Sequence, residues 1–356
     1  MKIKVKLFDI YVFLIALLKG FGLDSGDPVY FIAFVVGCAA IVIKMMHEKY
    51  VLSELIALGS LLLFAGLNFV ICGSTQVLFT AIAICGLKNV DIKRVITISF
   101  WVRITAYVLV VVVYLLGFAE ENTVQFVRNG AYVTRHMFCY SHPNLAHFMF
   151  ATIVVQGLYL YNGKMNILRY LILLLVNYGL YVLTYSRTGF YSVIIGTVLF
   201  ALVRYNKLSA LIKWGAKNSF IILFALTLVT GFLYDDLVIL QKIDKVLTGR
   251  LYYNNIVLSN YTPNLFGLDF AKGIILDSGY LSLLFNGGIL VFAWFLYFLY
   301  KLHNKLYQEN RIMELTLILC FMIYCFTESL LTSVSVNVSL FLLADVVFKS
   351  KKGVRE

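Results

Sequence analysis

Twelve apolar runs, most of them close to the length that crosses a bilayer, occupy residues 7–23, 29–46, 51–70, 74–87, 95–117, 144–162, 167–185, 189–204, 218–234, 278–300, 312–330 and 333–348. A helical span needs about 20 mostly apolar residues. Inside hydrocarbon, every backbone N–H and C=O must find its partner within the protein. The pattern therefore predicts an all-α, polytopic membrane protein of about twelve transmembrane helices. Composition agrees, with 61% of residues hydrophobic and 13% charged, against roughly 25% charged in soluble domains. The run at 74–87 is short, and 312–330 and 333–348 almost touch, so a re-entrant pair at either place would lower the number of spans. Pro28, Pro143 and Pro263 each fall at or outside the end of a run, where a helix breaker is tolerated. No linker, low-complexity tract or repeat interrupts the chain, which reads as one integral membrane domain over residues 1–356.

The formal net charge of +12 would suit nucleic acid on a soluble protein, but here its distribution follows membrane topology. Alternate interspan segments collect Lys2, Lys4 and Lys6; Lys44 and Lys49; Lys88, Lys93 and Arg94; Lys164 and Arg169; Arg204, Lys207, Lys213 and Lys217; Lys301, Lys305 and Arg311; and Lys349, Lys351, Lys352 and Arg355. The other set holds only Arg128, Arg135, Arg187, Lys242, Lys245, Arg250 and Lys272, with Lys19 and Arg103 inside runs. By the positive-inside rule the first set is cytoplasmic, both termini with it, and no nucleic-acid partner is expected. The N-terminal run lacks a small-residue cleavage site and reads as a retained helix. Cys38, Cys72, Cys85, Cys139, Cys320 and Cys325 show no metal-binding spacing, so neither metal nor cofactor is expected. Cys72 and Cys139 share a predicted side, which permits a bridge that nothing else in the sequence supports.

The longest break in the apolar pattern, residues 235–277, then becomes a large extracytoplasmic loop. A loop of that length is functional or disordered, and its Tyr, Leu, Ile and Phe content over 251–270 argues for order. Apolar and aromatic residues from Leu251 to Tyr261 fit a short helix on the membrane surface, ended by Pro263, with Arg250 in its first turn. Asn264–Leu268 reads as a turn re-entering the protein. Asp277 has two readings, a helix N-cap or a general base.

Cytoplasmic retention explains none of the outer cations. Arg187, in Thr184-Tyr185-Ser186-Arg187-Thr188-Gly189 between two long runs, either snorkels to the headgroups or grips an anion with its fork of donors. Amides at the start of the next helix would add partial positive charge, and phosphate or diphosphate is the matching anion. The interval from Phe118 to Pro143 opens with Glu120 and Glu121 and closes with Arg135, His136 and Ser141-His142-Pro143-Asn144. His142 precedes a proline suited to starting a helix; it is either a hydrogen-bonded structural histidine or an imidazole available for chemistry. Two carboxylates lie inside runs, Glu54 and Glu328, and intramembrane acids are functional candidates by default. For Glu328 a salt bridge to an outer arginine competes with a chemical role.

Taken in order, Ser141-His142-Pro143-Asn144, Ser186-Arg187-Thr188-Gly189, Thr248-Gly249-Arg250 and Leu265-Phe266-Gly267, set in a multispan apolar body, resemble the Wzy-type polysaccharide polymerases of the O-antigen polymerase and ligase superfamily. The resemblance runs from about Phe118 to Phe348 and rests on short motifs. It implies a GT-C-like helical fold in the bacterial plasma membrane and a metal-independent, inverting glycosyltransferase that builds a capsule, exopolysaccharide or O-antigen. The implied substrates are undecaprenyl-diphosphate-linked oligosaccharide repeat units, with membrane lipid around them and a chain-length regulator as a further partner. Arginines gripping the diphosphate are carried onto Arg187 and Arg250, with Arg135 beside them as a further outer cation. His142, Asp277 and Glu328 are the candidates for a base acting on the acceptor hydroxyl. The ligase branch uses a histidine near the end of its large loop; this chain has Asp277-Ser278-Gly279-Tyr280 there and no histidine between 148 and 302. A transporter or flippase of lipid-linked oligosaccharide is the alternative from another class.

Overall fold

A computed structural model describes residues 6–23, 26–118, 122–128, 131–270 and 276–349. Glu120, Glu121, Lys272 and the terminal residues Lys2, Lys4, Lys351, Lys352 and Arg355 lie outside the described residues, as does the side chain of Arg128. The fold is mostly helical. In chain order the elements are α1 (Leu7–Gly20), α2 (Pro28–Met46), α3 (Leu52–Cys72), α4 (Thr75–Cys85), α5 (Ile92–Leu115), the strands β1 (Thr123–Arg128) and β2 (Ala131–His136), α6 (Pro143–Tyr161), α7 (Ile167–Thr184), α8 (Arg187–Arg204), α9 (Ala210–Lys217), α10 (Ser219–Phe232), α11 (Val238–Leu247), α12 (Arg250–Asn260), α13 (Gly279–Phe285), α14 (Ile289–Gln308), α15 (Ile312–Tyr324) and α16 (Ala344–Val347).

Every expected run contains helix, but the helices are more broken than the runs. Five described helices, α2, α3, α5, α7 and α8, are long and apolar enough to cross a membrane, and α9 with α10, bent by 76° at their junction, would make a sixth. The run at 278–300 divides into α13 and α14 around Asn286-Gly287-Gly288. The run at 333–348 yields a 3-10 turn over Val338–Leu343 and the short α16. Its Ser and Asn content, Ser333, Ser335, Asn337 and Ser339, offers the backbone local alternatives to helix. The irregular stretch before it is buried and served by α4: Thr80 Oγ1 accepts from the Val334 amide at 3.2 Å, and Gln76 Nε2 donates to Ser329 O at 3.3 Å. Irregular backbone at membrane depth is tolerated where protein supplies its partners.

The chain divides into two compact units interleaved in sequence, Met1–Ala40 with Asp91–Leu208, and Ile41–Val90 with Ser209–Glu356. In the first, α1 packs on α5 where a Cβ on Gly20 would stand 2.6 Å from Ala106 Cβ, and α6 packs on α8 where a Cβ on Gly189 would stand 2.8 Å from the His147 ring. The strands form an antiparallel hairpin with Thr123 opposite His136 and Phe126 opposite Val133. Asp91 caps α5 by accepting from Arg94 N, and Asn166 caps α7 by accepting from Arg169 N. Each satisfies a first-turn amide with no intrahelical acceptor. Lys19 stacks over the Tyr30 ring at 4.9 Å, and Arg103, 2% exposed, donates from Nε to Ser99 Oγ at 3.0 Å.

In the second unit, a fully buried Asn68 on α3 donates to the carbonyls of Phe266 and Asn286 at 2.7 and 2.6 Å. Ile289 N also donates to Asn264 O at 2.9 Å and Leu268 N to Phe285 O at 2.7 Å. The 264–268 segment is thus the expected re-entrant turn, laid against the α13–α14 break. Gly267, at φ +100°, sits where a Cβ would come 2.2 Å from the Asn286 carbonyl oxygen, so only glycine fits.

A candidate site around Arg250

Two helices, α11 and α12, occupy the described part of the long interval. α11 ends with Thr248 and Gly249 both left-handed, at φ 61° and 85°, which turns the chain back so that α12 starts at Arg250. Asp244, 4% exposed, accepts the amides of Leu251 at 2.8 Å and Tyr252 at 3.2 Å. A carboxylate there meets both the orphan amides and the positive end of the α12 dipole. Burial first, and then the Asp244 carboxylate, push the neighbouring Tyr234 phenol above its ordinary value. The helix expected over 251–261 is present as α12, with Arg250 in its first turn, and one of its faces packs against α10. Leu251, Asn254, Asn255 and Val257 are buried, and Asn255 Nδ2 donates to Gly231 O at 3.1 Å.

With its helix so fixed, Arg250 is 5% exposed and reaches two carboxylates. Its Nη2 donates to Glu328 Oε1 at 2.6 Å, and its Nε stands 3.4 Å from Asp277 Oδ2. Its third corner, Nη1, is buried with no hydrogen-bond partner among the described residues. Glu328 and Asp277 are held together by the contact of α13 with the turn after α15. Gly279 N donates to Cys325 O at 2.8 Å, and a Cβ on Gly279 would lie 2.9 Å from Glu328 O. Ser278, not Asp277, caps α13, accepting from Leu281 N at 3.5 Å. The Asp277 carboxylate is therefore released from cap duty. Its side chain is 37% exposed against 22% for Glu328, which makes Asp277 the group in the trio most open to an incoming molecule.

One guanidinium and two carboxylates carry one negative formal charge in total. The trio is thus not a bare cation awaiting phosphate. It is a paired cluster whose arginine keeps one nitrogen, Nη1, unused for a ligand oxygen and whose Asp277 offers an accepting oxygen. That combination suits an anionic oxygen beside a hydroxyl that loses its proton.

Arg135, His142 and Arg187 belong to the other unit. Arg135 on β2 donates from Nε to Thr184 O at 2.8 Å and from Nη2 to Asn144 Oδ1 at 2.6 Å, tying the hairpin to α7 and α6. His142 caps α6, its Nδ1 accepting from Asn144 N at 3.1 Å, with Pro143 in the first turn. That lone pair serves the helix. Arg187 opens α8 directly after Tyr185, left-handed at φ 49°, and after Ser186, whose buried hydroxyl has no partner among the described residues. Beneath it, His147 bonds Thr184 Oγ1 and Asn177 Oδ1, each at 2.9 Å, a network the sequence announces only as one more histidine near a helix start.

Glu54, the other intramembrane acid, is 1% exposed and pairs with Lys88 while accepting the amides of Val51 at 3.0 Å and Lys349 at 2.8 Å. Its oxygens are committed to structure. Cys72 and Cys139 are both free thiols. Asp244 is the residue that sequence reasoning missed; its signal is a lone acid among apolar positions of an amphipathic stretch, six residues before Arg250. The chain matches no family model, no curated protein and no solved structure.

Proposed function

We propose that this protein is a membrane-embedded glycosyltransferase that lengthens a bacterial surface polysaccharide. It moves undecaprenyl-diphosphate-linked oligosaccharide units onto one another at the extracytoplasmic face of the plasma membrane. The observation that carries the reading is the Arg250 cluster. Three residues far apart in sequence meet with a buried guanidinium corner unused and a carboxylate open beside it. In this reading Arg250 Nη1 holds one oxygen of the departing diphosphate, charge stabilisation that is worth most where water is scarce. Asp277 takes the proton of the acceptor hydroxyl, and Glu328 keeps the guanidinium aimed. Arg187 and Arg135 remain diphosphate-binding candidates through the resemblance, and a chain-length regulator remains a proposed partner.

The test is direct. Purified protein in detergent, given lipid-linked repeat units, is expected to produce a ladder of longer lipid-linked chains; unchanged units would remove the reading. A transporter of the same lipid-linked unit is the second reading. The interrupted α13–α14 helix favours it, with the 264–268 backbone laid into the break, because such breaks form substrate sites in transporters. Movement of units across sealed vesicles without lengthening would select it. A ligase would join finished chains to a different acceptor and leave the repeat units unpolymerised.

A further inference from the structure

α11 turns its apolar side chains outward. Val238, Ile239, Ile243 and Val246 are between 44% and 64% exposed and share one side of the helix at 100° per residue. Lys242 and Lys245, both exposed, flank Val238, so the basic strip overlaps the Val238 margin of that face while Val246, Ile239 and Ile243 form its unbroken apolar part. The opposite side carries the buried Asp244 that caps α12. An amphipathic helix with its apolar side out and lysines at the rim has the form that lies in a bilayer interface. Its place in the fold agrees. α10, the apolar limb of the bent pair, ends at Phe232 with Phe232 and Leu233 exposed, and the connection to α11 is a compact turn in which Leu237 N donates to Leu233 O at 3.1 Å.

We propose that α11 lies in the headgroup layer of the leaflet where α10 ends, its apolar face among acyl chains and its lysines on anionic phospholipid phosphates. Through Asp244 it then fixes Arg250 at headgroup depth. The occupant is a phospholipid surface, identified by continuity with the lipid-facing end of α10 and by charge. The consequence for the substrate rests on the function proposed above: the phosphate that meets Arg250 belongs to a lipid anchored in that layer, not to a soluble nucleotide sugar.

Ile243→Cys and Asp236→Cys, both at exposed positions, are to be labelled with an environment-sensitive fluorophore in the full chain. The host membrane is a nanodisc of phosphatidylglycerol and phosphatidylethanolamine, and unsubstituted protein, whose exposed Cys139 labels in parallel, gives the background. The label at 243 is expected to be quenched about five-fold more by a phospholipid carrying a nitroxide high on its acyl chain than by aqueous iodide, with the reverse at 236. Iodide reaching 243 as readily as 236 would overturn the proposal. Lipid contact at 243 in a protein that lengthens no repeat units would leave α11 where it is placed and remove the enzyme instead. Where both hold, Ile239→Glu with Ile243→Glu is expected to lower lengthening of full polyprenyl substrates at least ten-fold. Equal loss with a short-chain, detergent-soluble analogue would refute the depth role.

Discussion

Arg250 and Glu328 stand 78 residues apart in sequence and 2.6 Å apart in the fold. α12 delivers one and the turn after α15 the other. The guanidinium is almost wholly buried, yet a corner of it stays unused, so the pair is both a structural tie and an unfinished site.

Removing the arginine separates these two roles. Arg250→Ala is expected to abolish chain lengthening and to lower stability by about 1–3 kcal/mol, since Glu328 loses a charge-assisted partner. Arg250→Lys is expected to recover stability better than activity, because an ammonium cannot serve three directions from one plane. Detergent thermal unfolding and a lengthening assay on the same preparations give both numbers.

Asp277 is tested by a nearly isosteric change. Asp277→Asn keeps the volume and removes the accepting charge. Lengthening is expected to fall by about 10²–10⁴-fold, the usual weight of a general base. Stability should move by less than about 1 kcal/mol, because the Asp277 end of the pair is part-exposed and Arg250 keeps its closer partner Glu328. Retained activity would leave Asp277 as a counter-ion only.

Asp244 acts through backbone. Asp244→Ala frees the Leu251 and Tyr252 amides, at an expected cost of about 0.5–2 kcal/mol for a lost cap. Because α12 starts at Arg250, activity should fall as well. Asp244→Asn, which still accepts hydrogen bonds, should restore most of the stability. Equal behaviour of the two variants in thermal unfolding would show that the capping contact is immaterial.

At the other arginine the expectation comes from the resemblance. Arg187→Ala is expected to yield normally inserted protein and single-unit products on a polysaccharide gel, while His142→Asn, which preserves a helix cap, is expected to polymerise normally. Long polymer from Arg187→Ala would end its assignment to the diphosphate, and loss of polymer in His142→Asn would return the imidazole to the chemistry.

Gly267→Ala carries a conformational penalty and a clash at once. The residue is at φ +100° and its added methyl would meet the Asn286 carbonyl oxygen. A loss of more than about 2 kcal/mol is expected, with the 264–268 segment becoming open to protease. Wild-type resistance in this variant would show that the segment is not pinned to the α13–α14 break.

The sequence carried the helical class, the membrane setting and the Arg250 helix start, because each follows from local chemistry. Apolar runs specify helix in hydrocarbon, and the apolar and aromatic positions from Leu251 to Tyr261 mark a short helix with Arg250 in its first turn. It overreached in treating runs as spans. The interruptions at 286–288 and 329–337 are stabilised by Asn68, Gln76 and Thr80. The near-contact of 312–330 and 333–348 points to a re-entrant pair at the second, but the partners that hold both breaks are distant in sequence and no local pattern names them. It also left Asp277 between cap and base, a choice decided by which neighbour accepts the Leu281 amide.

By itself, then, the sequence determined what the chain is made to dissolve in and which charged residues are out of place there. Solvent preference is a sum over individual side chains. Only the tertiary structure decided that Arg250, Asp277 and Glu328 share one point while Glu54 is consumed by Lys88. A charge takes its role from the partners within a few ångströms, and the close contacts of α12, α13 and the turn after α15 set those distances.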